Sequence, residues 1–89
     1  MCTTIVEKAS IAGGAKGARG WFPLREALVS YDHPFHVQLE HAVNIDFVNH
    51  EAGLDARVGV ELTIESAREL AHAILAAVEA AEAYEGQGA

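Results

Sequence analysis

Only one cysteine, Cys2, occurs in the 89 residues, so no intrachain disulfide can form. Positive charge is scarce too: six Lys and Arg stand against thirteen Asp and Glu, a net charge of −7. This balance argues against nucleic acid or anionic membrane as a general partner, because phosphate binding draws on positive charge. No apolar run approaches the about eighteen residues that a membrane-crossing helix needs. Nor does a basic segment lead into an apolar one in the manner of a secretion signal, so a cytoplasmic protein is the expectation. His-Glu-x-x-His, Cys-x-x-Cys and zinc-finger spacings are all absent. At this length a chain builds one domain with one modest core, and such domains often bury a further face in an oligomer.

What is present is unevenly spread. Residues 1–31 carry four cations and two acids, whereas residues 32–89 carry two cations and eleven acids. Thr3-Thr4-Ile5-Val6 is β-branched and reads as a short first strand. Cys2 at its start reads as a small apolar residue, with a ligand or nucleophile as the other reading. Residues 9–20 hold four glycines with Lys16 and Arg19. They read as a connecting loop, or else as an anion-binding loop or lid, although Lys16 is followed by glycine and the P-loop spacing is missing. The adjacent rings of Trp21 and Phe22 should point to opposite sides of an extended chain, with Pro23 at a strand start or edge.

Three further strands follow. Leu24 to His33 alternates, with Ala27, Val29, Tyr31 and His33 on one face, until Pro34 stops it. His41, Val43, Ile45 and Phe47 share the apolar face of the next, and Val58, Val60 and Leu62 that of the last, over residues 57–62. Thr63 is a good helix N-cap, and Ile64, Ala67, Leu70, Ala71, Ile74, Leu75, Val78 and Ala81 recur at helical spacing until Gly86. His72 lies on the polar side, and His50 reads as an ordinary loop residue. The expected fold class is α+β: about four mainly antiparallel strands, with one long C-terminal helix packed on one sheet face. Residues 1–85 form the expected single domain and 86–89 a flexible tail. Leu28, Val48 and the Trp21–Phe22 pair offer a second apolar surface, through which a homodimer is expected.

Three of the five histidines, His33, His36 and His41, fall between Asp32 and Ile45. In a hairpin of residues 24–33 and 41–48, His33 and His41 would border the loop and His36 would close the set. Neutral imidazole is the commonest metal ligand, and three nitrogens with an open position describe a catalytic or substrate-binding site better than a structural one. Asp32 or Glu40 would then serve as a further ligand, a partner for a histidine N–H, or an acid/base on bound water and substrate. Zinc fits best, with iron, nickel, copper or manganese also admitted by the ligand type. The leading expectation is therefore a transition-metal-binding protein, with metal-assisted chemistry on a small molecule left open as an extension of it. The alternative is a metal-free dimeric interaction module that uses the exposed sheet face and the Trp21–Phe22 edge.

Several stretches carry a resemblance: Met-Cys-Thr…Glu-Lys (Met1 to Lys8), Lys-Gly…Gly-Trp-Phe (Lys16 to Phe22), Asp-His-Pro-Phe-His…Glu-His…Asn-Ile-Asp-Phe (Asp32 to Phe47) and Ala-Arg-Val…Val-Glu-Leu (Ala56 to Leu62). In these the chain resembles a family of short bacterial proteins, chiefly actinobacterial, that form a domain of unknown function. The resemblance spans nearly the whole chain. It implies a free-standing single-domain protein and supplies no substrate or reaction.

Overall fold

The computed structural model describes residues 4–88. Four strands, β1 (Val6–Gly17), β2 (Gly20–Asp32), β3 (Ala42–Val48) and β4 (Arg57–Leu62), precede one helix, α1 (Ile64–Gly88). They form an antiparallel meander in the order β1-β2-β3-β4. The helix packs against β3 and β4, which makes the fold α+β as the sequence pattern indicates.

Register explains the chemistry of the two sheet faces. Val29 pairs with Ile45 and Ile45 with Val60, while Tyr31 pairs with Val43 and Val43 with Leu62. Strand alternation therefore gathers these side chains on one face. One residue out of phase, Ser30 pairs with Asn44 and Asn44 with Glu61, and Asp46 pairs with Gly59. The second face is thus polar at its centre.

The third and fourth strands lie within a residue of their expected limits; β1 does not. Its glycine-rich half is strand rather than the expected loop, paired through Gly14 with Pro23, Ala15 with Phe22 and Lys16 with Trp21. Small residues are needed there because the rings of β2 lie close. A Cβ on Gly17 would stand 3.0 Å from the Phe22 ring and 3.2 Å from the Asp55 carbonyl. Gly20 closes the two-residue turn at φ +113°, a conformation that residues with a Cβ avoid. A bulge sets Ile11 and Ala12 opposite the single residue Arg25. Cys2 lies outside the described residues.

The interior is thin. Among the described residues Ala27, Ala42, Val48 and Ala56 are the buried apolar ones, Asn49 is the buried polar one, and no large side chain is completely enclosed. Asn49 organises the link to β4: its Nδ2 donates to the Pro23 carbonyl at 2.9 Å and its Oδ1 accepts the Glu51 N–H at 3.1 Å. Thr63 caps the helix as expected, with Oγ1 accepting the Ser66 N–H at 3.0 Å. From there α1 runs on past Gly86, and within residues 64–87 Ala67 alone is not exposed.

Candidate functional site

Pro34 ends β2, and residues 33–41 cross back to β3 as an irregular strap. Glu61 of β4 fixes its position. The Glu61 carboxylate accepts the Phe35 N–H at 2.6 Å, the His36 N–H at 3.0 Å and the Val37 N–H at 2.9 Å. Bonds to an ionised acceptor are the strong kind, and three consecutive N–H groups around one carboxylate form an anion cradle. The Val37 N–H above all, then that of Phe35, holds the Glu61 carboxyl below the ordinary glutamate range, against a smaller opposing effect of desolvation.

This contact separates the histidines. Glu61 shares the polar face with Asn44, so the strap at His36 is drawn to that side. His41 instead stacks on Tyr31, whose partner Val43 belongs to the apolar face, with centroids 5.4 Å apart. His33 stacks on His41 at 4.7 Å with 26° between the ring planes. Imidazole lone pairs lie in the ring plane, so near-parallel stacked rings direct them side by side rather than at one point. His33 Nδ1 is also engaged with the Glu40 carbonyl at 2.8 Å. A carbonyl only accepts, so that nitrogen carries the hydrogen.

The two acidic candidates have local roles. Asp32 Oδ1 accepts the His33 N–H at 2.7 Å and shapes the strap entry, and Glu40 meets His33 through its main chain. Among the described residues, no group of three or more His, Cys, Asp or Glu stands close enough to hold a metal ion. The expectation of a transition-metal protein built on His33, His36 and His41 is therefore overturned. Stacking of His33 on His41 and capture of the His36 segment by Glu61 supply the physical reason. The alternative, an interaction module using the second apolar surface and the Trp21–Phe22 edge, fares no better. Val48 is already buried within the chain and Leu28 and Phe22 are half-buried, which leaves Trp21 as the one exposed member of that surface.

Between the strap and the sheet lies a half-open pocket of about 750 Å³. Its floor is Ser30, Asn44, Asp46, Gly59 and Glu61, Asp32 stands at one end, and residues 33–37 line the other wall. Arg57 Nε and Nη2 both donate to Asp46 Oδ1, at 3.0 and 2.7 Å. Asn44 Nδ2 donates to the Asp32 carbonyl at 3.3 Å, while its Oδ1 is buried without a protein partner. Sequence reading did not single out Asn44, Asp46, Arg57 or Glu61. Their signal was the polar alternation of β3 and β4, which is indistinguishable from a solvated face until the strap folds over it.

The family match covers residues 1–87. The chain belongs to DUF6295, a family of unknown function. Comparison with curated proteins and with solved structures gives no match. For this DUF6295 chain the resemblance seen in the sequence is thus upheld, and a biochemical role has to come from the pocket itself. No helix among the described residues is long and apolar enough to cross a membrane.

Proposed function

We propose that the pocket beneath the strap binds a small cytoplasmic molecule carrying a protonated amine or an amide N–H. The supporting observation is the buried Oδ1 of Asn44, an acceptor without a protein donor on the pocket floor. That atom has no exposed surface in the free chain, so the Asn44 amide has to turn for a ligand N–H to reach it, and the burial cost of about 1–3 kcal/mol for an unpaired acceptor favours that turn. The charge around it favours the same chemistry. Asp46 is matched by Arg57 and Glu61 is engaged by three amides, whereas the Asp32 carboxylate at the pocket end accepts a single main-chain N–H, that of His33. A pocket of about 750 Å³ lies within the range of small-molecule sites. A cytoplasmic setting agrees with a chain whose single cysteine leaves no disulfide to form.

Titration calorimetry with putrescine, agmatine and nicotinamide tests this reading. At least one should bind saturably to the native chain and bind tenfold or more weakly to Asn44→Leu, about 1.4 kcal/mol for one lost hydrogen bond. Absence of saturable heat from all three at millimolar concentration would remove the proposal.

A further inference from the structure

We infer that the exposed apolar stripe of α1 is covered by the same helix of a second copy, lying antiparallel about a two-fold axis at Ile74. The stripe is real and uncovered: Leu70 is 41%, Ile74 54% and Val78 46% exposed. Beyond Ala67, which is not exposed, Leu70, Ala71, Ile74, Val78 and Ala81 follow helical spacing, and Glu65, Arg68, Glu69, His72 and Glu79 occupy the other side. A water-facing helix has no reason to keep such a stripe, and contiguous apolar surface on a small chain marks an interface.

The chain has surface to spare for such an interface. The chain exposes 6863 Å², whereas a compact monomer of its mass exposes about 5,000 Å². Its radius of gyration is 15.2 Å, against about 12 Å for a compact domain of this length. The surplus of about 1,800 Å² leaves room for the about 800 Å² per partner that a standard interface buries.

A second copy is the occupant these observations favour. The exposed part of the stripe is nearly symmetric about Ile74: antiparallel pairing sets Leu70 against Val78, Ala71 against Ala77 and Ile64 against Tyr84, with Leu75 at its margin over Ala73. Apart from Leu75, large meets large and small meets small, which is the self-complementarity of a two-fold interface. A chain whose own interior encloses no large side chain also needs its partner at the moment of folding, and its own copies are always present then.

Sedimentation equilibrium on the full chain is expected to give twice the 9.5 kDa chain mass. Ile74→Asp should abolish the dimer, while Leu54→Asp, at a residue 99% exposed away from the helix, should leave it intact. A second measurement serves even if Ile74→Asp fails to fold. In a Cys2→Ser background, oxidising a mixture of Ala71→Cys and Ala77→Cys chains should yield the mixed covalent dimer in preference to either homodimer. A native mass of 9.5 kDa at high micromolar concentration overturns the inference. So does a dimer that survives Ile74→Asp, or cross-linking in which homodimers prevail. None of these outcomes bears on amine or amide binding beneath the strap, which calorimetry reads separately.

Discussion

A carboxylate that accepts three successive main-chain N–H groups does at residue scale what a longer loop would otherwise need its own packing to do. Glu61 reaches across 24 to 26 positions of sequence to hold Phe35, His36 and Val37. Its carboxyl is held below its ordinary value, so the tether is complete above the usual glutamate range, about pH 4.3. It is lost as pH falls through the lowered value. Hydrogen exchange should therefore show protection of amides 35–37 at neutral pH that disappears in acid before the sheet amides open. Glu61→Gln should show the acid behaviour at neutral pH; unchanged protection in that variant would mean that the strap is held by something else. The residue scale is also where the sequence was least legible. His33, His36 and His41 stand out in a linear reading because metal ligands cluster. Spacing carries no information on whether imidazoles stack or converge, and Glu61, which decides it, lies on another strand.

At the scale of elements the legible features were those with local causes. β3 and β4 alternate cleanly, and α1 begins where Thr63 offers a cap. Thr63→Ala should lower stability by about 1 kcal/mol, measured by urea unfolding, because one orphan N–H loses its acceptor. An unchanged midpoint would mean that the first turn is held by its contacts with β3 and β4 instead. β1 was misread for a reason that follows from its partner. Glycine has low strand propensity because it brings no side chain to pack. Here that lack is the requirement, since Phe22 and the Asp55 carbonyl fill the space where a Gly17 Cβ would sit. Propensity is judged one strand at a time, whereas a hairpin is selected as a pair.

For the whole molecule, charge and shape work against each other. Each chain carries −7, so pairing two copies brings like charges together. Salt screens that repulsion while leaving apolar burial in place. Dimer dissociation constants measured by sedimentation should consequently fall as sodium chloride is raised from low ionic strength, the reverse of the trend for an interface held by ion pairs. A rise would show that the contact is made by opposite charges and not by the α1 stripe. A chain with so little interior also runs the risk of joining its neighbours through the open side of its sheet. β1 forms one such side, and its bulge at Ile11 and Ala12 breaks the even spacing of amides and carbonyls there. An incoming strand could pair with only part of that border before losing step, so the irregularity restrains the molecule from growing into fibrils while its helices remain free to meet.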